Sequence, residues 1–145
     1  MDDERTLVLV KPDAVERNLV CPIIKHFEKT GIYVRAIKMM KLDRKTAYAF
    51  YEEHKDKSFY EELVDYMTSG PIVAMIIEGR DSVKKVRELI GNTNPTEAKD
   101  GTIRKMYATS KQKNAVHASD YTMHAVKEME YIFQLPEHAT GIQVA

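Results

Sequence analysis

Two stretches of the chain leave little freedom in how it can fold. Thr6-Leu7-Val8-Leu9-Val10 and Pro71-Ile72-Val73-Ala74-Met75-Ile76-Ile77-Glu78 are apolar almost throughout, with no alternation of polar residues. Successive strand side chains point to opposite faces, so a strand with one wet face alternates in polarity. Runs without alternation belong in the middle of a sheet that is covered on both sides. Tyr33 to Met40 (YVRAIKMM) begins with alternating polarity, as an edge or half-exposed strand does. Ala115-Val116-His117-Ala118 reads as a short fourth strand.

Helical signals lie between these runs. Pro22 suits the first turn of a helix through Ile23, Ile24 and Phe27 that Gly31 ends. Asp43 is placed to cap a helix carrying Ala47, Phe50 and Tyr51. Ser58 and Glu61 form a capping-box pattern before Leu63, Tyr66 and Met67. Ser82 starts a helix through Val83, Val86, Leu89 and Ile90 that stops at Gly91. Thr122 is a candidate cap for a last helix with Ala125, Val126, Met129 and Ile132/Phe133 on its apolar face. Asn92 to Gly101 is a loop by composition. The order β-α-β-α-α-β-α-β-α, with one middle helix taken as an insertion, reduces to βαββαβ. The predicted fold class is therefore α/β (α+β). It is a ferredoxin-like four-stranded antiparallel sheet with helices packed on it, strands one and three central. That fold serves many functions and selects none.

At 145 residues the chain has the length of one domain and needs no metal or disulfide staple. Its bounds are 1–145, with a core over 5–133 and a tail over 134–145. Lys+Arg and Asp+Glu are both 22, so bulk charge does not favour a nucleic-acid partner. Cys21 is the single cysteine and has no intrachain partner, which fits a reducing compartment. The acidic start Met1-Asp2-Asp3-Glu4 lacks the basic charge of a secretory leader. No apolar run approaches the roughly 20 residues of a membrane span. These features point to the cytoplasm and to no membrane partner.

No P-loop, protein-kinase glycine loop, H-E-x-x-H or C-x-x-C occurs, and the five histidines do not share metal-ligand spacing. His117 stands out. On its own it reads either as a half-buried strand histidine satisfied by Ser119 or as a nucleophile near neutral pH. As a nucleophile it needs an orienting partner, and Glu128 lies on the following helix. Lys11 closes the first central strand, Arg87 sits on the Ser82 helix, and Arg104 follows Gly101-Thr102-Ile103. Each is a solvated surface charge by default, but two arginines and a lysine around a histidine make a phosphate clamp. Tyr51 and Phe59 read first as core packing. The mixed charges from Lys41 to Lys57 read as a solvated face.

Taken in order, several motifs resemble the nucleoside diphosphate kinases over nearly the whole chain, from Arg5 to about Phe133. They are Glu4-Arg5-Thr6-Leu7, Val10-Lys11-Pro12-Asp13-Ala14-Val15, Phe50-Tyr51-Glu52-Glu53-His54 and Phe59-Tyr60-Glu61-Glu62-Leu63. Met67-Thr68-Ser69-Gly70-Pro71, Gly91-Asn92-Thr93-Asn94-Pro95 and Gly101-Thr102-Ile103-Arg104 follow. The last, Asn114-Ala115-Val116-His117-Ala118-Ser119-Asp120, is similar to that family's N-x-x-H-[GA]-S-D signature.

The resemblance implies γ-phosphoryl exchange from a nucleoside triphosphate, such as ATP or GTP, to a nucleoside diphosphate. It implies a ping-pong course through a phosphohistidine on His117, and a role in balancing NTP and dNTP pools. It further implies that Glu128 and Ser119 orient the imidazole and that Tyr51 stands beside it. Arg87, Thr93 and Arg104 would hold phosphates. Lys11 and Asn114 would reach the sugar hydroxyl, with Lys11 also near the transferred phosphate. Phe59 would stack on the base with Leu63 beside it. Mg2+ would arrive with the nucleotide, with Asp120 contacting it through water, and no side chain would bind metal directly. The Asn92–Gly101 loop matches a trimer-forming segment, which implies a homohexamer, with a tetramer as the other state. The chain departs from the family pattern at Lys105-Met106-Tyr107 and at Ser110-Lys111-Gln112-Lys113, near the expected base edge. Two other readings stand beside this one. A non-catalytic nucleotide-binding module is disfavoured by the complete set of site residues. A nucleic-acid-binding protein is disfavoured by the zero net charge.

Overall fold

The computed structural model describes residues 3–135. Four strands form one antiparallel sheet: β1 (Glu4–Val10), β2 (Tyr33–Met40), β3 (Ile72–Gly79) and β4 (Val116–Ala118). Their order is β2-β3-β1-β4, so the two uniformly apolar strands are central. The reason for the missing alternation is visible in the packing. Val8 and Val10 of β1 and Val73, Met75 and Ile77 of β3 face one apolar layer with Phe27, Val86 and Ile90. Leu7 and Leu9, with Ile72 and Ala74, face a second layer with Tyr51, Leu63, Met67 and Ile132. Both faces of the two central strands are dry, and each of the two supplies both layers, while edge strand β2 exposes Tyr33, Ile37 and Met39.

Among the described residues, seven α-helices pack with the sheet: α1 (Pro12–Glu16), α2 (Val20–Glu28), α3 (Arg44–Phe50), α4 (Tyr60–Met67), α5 (Ser82–Ile90), α6 (Ile103–Tyr107) and α7 (Thr122–Gln134). Asp43 caps α3 as its sequence position predicts, accepting from the Thr46 amide at 2.7 Å. Pro22 lies in the first turn of α2, as expected. Two other local readings fail. Helix α4 starts without a side-chain cap, so Ser58 makes no capping box. Thr122 is the first helical residue of α7 rather than its cap, and its hydroxyl donates at 3.4 Å to Glu4. Glu4 also accepts from the Val83 amide at 2.9 Å, and Ser82 Oγ donates to the Glu4 carbonyl at 2.8 Å. One strand residue thus serves the starts of both α5 and α7. On α7, Val126 is exposed rather than part of the apolar face. The tail set off at 134–145 begins inside α7, and its residues 136–145 lie outside those described. No helix among the described residues is long and apolar enough to cross a membrane.

Candidate active site

The register of β4 aims His117. Leu9 on β1 pairs with His117, so the imidazole shares the Leu9 face, the one layered with α3, α4 and α7. There its ring meets three partners. Nε2 lies 3.0 Å from Oε1 of Glu128 on α7. The Tyr51 ring meets it edge-on with centroids 5.9 Å apart, and the Phe50 ring at 5.3 Å. Ser119 Oγ donates to the same Glu128 oxygen at 2.7 Å. Ser119 therefore orients Glu128 instead of satisfying His117 itself. Burial pushes the Glu128 carboxyl upward, but the hydrogen bonds from His117 and Ser119, with the nearby His124, outweigh it and hold it below its ordinary value. The Tyr51 hydroxyl is buried without a partner, and burial, then the Glu128 charge, raises it.

The cations lie deeper than surface charges do. Arg104 is 5% exposed. It is the second residue of α6, whose start is fixed by Thr102 accepting from the Lys105 amide at 3.3 Å and by fully buried Ile103. That pose lets Arg104 donate to the Gly91 carbonyl at 3.0 Å and the Val116 carbonyl at 2.8 Å, leaving Nε buried and unpartnered. Burial, with Arg87 nearby, lowers its pKa to about 10. Lys11, 7% exposed, is the cap position of α1 and donates only a long 3.4 Å bond to the Gln112 carbonyl. Burial first, then Arg104, lowers it to about 8, against the opposing pull of Asp13. Arg87 on α5 donates to the Ala118 carbonyl at 3.4 Å. Three cations packed this closely, two of them stripped of water, make a site that favours polyanions.

Asn114 joins the loops around this centre. Its Nδ2 donates to the Lys111 carbonyl at 2.9 Å and the Thr93 carbonyl at 3.4 Å, while Oδ1 is buried without a partner. Ala115, next in sequence, holds a left-handed φ of 73°, a conformation that non-glycine residues take at a cost and that clusters at functional sites. The loop of Lys111 and Gln112 meets the site through backbone carbonyls, which any residue supplies. The departures from the family pattern there leave these bonds intact. Thr93 is exposed on the Asn92–Gly101 loop, which is built on side-chain turns at Asn92 and Asn94. Phe59 remains 43% exposed beside buried Leu63.

The reading of Lys41–Lys57 as a solvated face misses His54. Its ring stacks on Tyr51 at 6.4 Å and meets Phe59 at 5.5 Å, and its Nδ1 is buried and unpartnered. The available signal was the spacing of Phe50, Tyr51 and His54, one turn apart. Asp120 is exposed at the rim, lining an open cleft of about 1190 Å³ with Arg87, Asn92 and Thr102. This cleft opens beside Arg87, and neither His117 nor Lys11 lines it. Among the described residues no three His, Cys, Asp or Glu side chains gather to hold a metal ion.

A histidine paired to a carboxylate, with buried Lys11 and Arg104 and exposed Arg87 on adjoining elements, suits phosphoryl transfer, and comparison with known proteins decides the matter. The sequence profile described as "NDK: Nucleoside diphosphate kinase" matches residues 4–138. The chain belongs to the nucleoside diphosphate kinase family. A nucleoside diphosphate kinase of Sulfurisphaera tokodaii is 53% identical over 142 residues, covering 98% of this chain and 97% of the relative. That of Saccharolobus solfataricus is 54% identical over 130 residues, covering 90% and 94%. The crystal structure of the Aquifex aeolicus nucleoside diphosphate kinase superposes with a TM-score of 0.88 at 42% identity, over 90% of this chain and 95% of that one. A halophilic nucleoside diphosphate kinase from Halobacterium salinarum, solved in complex with CDP, gives 0.87 at 40% identity, over 90% and 88%. As a kinase of this family, the chain transfers a phosphoryl group between nucleotides.

Proposed function

We propose that the transfer runs in two half-reactions through His117, and that its substrates are nucleoside tri- and diphosphates such as ATP and GTP. The observation that carries this reading is the bond between His117 Nε2 and Glu128. With Nε2–H donating to the carboxylate, the remaining lone pair is on Nδ1. Nδ1 attacks the γ-phosphorus, the bond from phosphorus to the β,γ-bridging oxygen breaks, and the nucleoside diphosphate leaves with that electron pair. The ring becomes cationic while it carries the phosphoryl group, and Glu128 stabilises that charge. A second diphosphate then takes the phosphoryl group by the reverse path. A dissociative phosphoryl transition state asks mainly for positioning and charge neutralisation. Arg104, Arg87 and Lys11 supply the charge, and Tyr51 limits the swing of the imidazole.

The rest of the site fits the same nucleotide. Asn114 and Lys11 sit where a sugar hydroxyl would meet a donor and an acceptor, and Thr93 borders the phosphates. The exposed Phe59 ring, with Leu63, offers a stacking surface. Every base has a π-face, so stacking tolerates any base. His54, between Tyr51 and Phe59, lies along the path from base to phosphates. Mg2+ suits this donor set as a passenger on the nucleotide, because it keeps several waters and needs few protein ligands. It would neutralise phosphate charge, with rim residue Asp120 touching it through water.

We place this activity in one domain with its core over 5–133, in the cytoplasm, and in a homohexamer joined through the Asn92–Gly101 loop. A tetramer is the other assembly, and sedimentation equilibrium separates the two. The test of the mechanism is incubation with γ-labelled ATP. Wild type should yield an acid-labile, alkali-stable phosphoprotein, as a phosphohistidine does, and His117→Ala should yield none while keeping its circular dichroism. Labelling of His117→Ala at the wild-type rate would overturn the assignment.

A further inference from the structure

Asp13 is, among the described residues, the one acidic side chain in the buried interior, and the transfer reaction leaves it without a task. It lies in the first turn of α1, two residues after Lys11. Its partner is Tyr66 in the last turn of α4, 53 residues further along the chain. The Asp13 amide donates to the Tyr66 hydroxyl at 2.9 Å, and that hydroxyl donates to Asp13 Oδ1. The phenol therefore satisfies one of the amides that a helix start leaves free, and takes the carboxylate as its own acceptor. Burial, then the bond to Asp13, raises the Tyr66 hydroxyl above its ordinary value, so it stays a donor.

This pair stands where other contacts between the two helices are lacking. Ala14 of α1 faces one apolar layer, while Leu63, Val64 and Met67 of α4 face the other, so no shared apolar face sets their spacing. An open cleft of about 440 Å³ is lined by Pro12 and Asp13 of α1, Glu62 and Tyr66 of α4, and Gln112 and Lys113 of the following loop. The other side-chain hydrogen bonds of α4 run to α3. The Tyr60 hydroxyl donates to the Tyr48 carbonyl at 2.6 Å, and Arg44 donates to Asp65 at 2.6 Å and to Glu61 at 3.3 Å. Among the described residues, Tyr66 alone ties α4 by side-chain hydrogen bonds to a helix other than α3. Helix α1 begins at Lys11, and α4 carries Leu63 with Phe59 at its cap position. The two bonds thus connect the two ends of the proposed nucleotide site.

We propose that Asp13 and Tyr66 are positioning residues whose paired hydrogen bonds set the spacing between Lys11 and the Phe59–Leu63 surface, and so fit the site to a nucleotide held at sugar and base together. The inference rests on the reading that Phe59 stacks on the base and that Lys11 meets the sugar hydroxyl. Neither Asp13 nor Tyr66 touches the substrate. Fixing the spacing in advance removes an ordering cost of binding. That saving falls only to a ligand that engages both ends, because a ligand held at one end is indifferent to where the other lies.

Three variants grade the pair. Tyr66→Phe removes both bonds and keeps the ring. Asp13→Ala removes the carboxylate bond and leaves the amide one. Asp13→Asn keeps both, since its amide oxygen still accepts from Tyr66 and its amide nitrogen replaces Oδ2, which has no partner. The measurement is single-turnover phosphorylation of His117 in the full-length protein, over a concentration series of Mg-ATP and of Mg-ribose 5-triphosphate, which lacks the base. With Mg-ATP, Tyr66→Phe should raise the half-saturating concentration roughly fivefold or more, the scale of one lost hydrogen bond, and Asp13→Ala should raise it by less. Asp13→Asn should stay within about twofold of wild type. The saturated rate should also stay within about twofold of wild type in every variant, because full occupancy restores the spacing. With the base-less donor all the proteins should agree within about twofold, whereas a general loosening of the fold would weaken both donors alike. An unchanged half-saturation in Tyr66→Phe, an equal loss with both donors, or a loss confined to the saturated rate refutes the proposal. Should Tyr66→Phe fail to fold, Asp13→Ala against Asp13→Asn carries the same test. Phe59→Ala separates the two readings. If it weakens both donors alike, the stacking reading fails and the spacing role falls with it. If it weakens Mg-ATP alone while Tyr66→Phe changes nothing, only the spacing role is refuted.

Discussion

Lys11 is a cation whose burial weakens the fold, and the size of the penalty follows from its surroundings. Its pKa falls from 10.5 to about 8, chiefly through burial and then through Arg104. At 1.36 kcal/mol per pH unit, this interval corresponds to about 3 kcal/mol by which the folded state disfavours the ammonium. Lys11→Met keeps an unbranched apolar stem and removes the charge, so it should stabilise the folded chain by about that amount at pH 7. For a domain this long, the gain corresponds to roughly 10 °C in Tm. The sign has a pH signature. Below about pH 8 the lysine is protonated in both states and the penalty is fully present. Between about 8 and 10.5 the unfolded chain still binds the proton that the folded chain has released. Wild-type stability therefore gains with pH over this window, and the advantage of the variant fades. Denaturant unfolding at equal protomer concentration, at pH 7, 8.5 and 10, measures the gap. A gap near zero at pH 7, or one that stays constant to pH 10, would refute the account of Lys11 as a desolvated cation. Activity should move the opposite way, with phosphorylation of His117 strongly reduced in Lys11→Met at every pH.

Two further outcomes follow from the same geometry. Glu128→Gln keeps an oxygen for His117 and Ser119 but loses the charge that balances the phosphorylated ring. Stopped-flow phosphorylation at saturating ATP should slow by roughly one to two decades with nucleotide affinity little changed, and a wild-type rate would make Glu128 a purely structural residue. At Gly91, φ is +88°, and an added Cβ would lie 2.5 Å from Thr102 Oγ1 and 2.7 Å from Thr102 Cβ. Gly91→Ala should therefore destabilise the chain by about 2 kcal/mol or more, read from the denaturation midpoint. Because the Gly91 carbonyl anchors Arg104, it should also slow phosphoryl transfer.

Much of the fold was written in local pattern. The unbroken apolar runs of β1 and β3 meant two covered faces, and alternation in β2 meant an edge, because side-chain direction in a strand has period two. Helical spacing and Asp43 located α3, and the ordered set of motifs ending at His117 pointed to the family before any geometry was known. Other features had no local cause to read. Helices α1 and α6 have five residues each, below the length at which a helix holds itself together, and packing alone forms them. Yet they set Lys11 at a helix start and turn Arg104 onto the backbone of β4. Ser82 looked like the local start of α5 and Thr122 like the cap of α7, but both helix starts draw on Glu4, a strand residue 79 positions before Val83. His54 looked solvated until Tyr51 and Phe59 closed on its ring. The sequence alone determined which side chains were present and which strands had two covered faces or one. Only the tertiary structure decided their water content. Burial makes Lys11 and Arg104 a charged interior, and the contact of Nε2 with Glu128 leaves Nδ1 away from that carboxylate, as the proposed phosphohistidine requires.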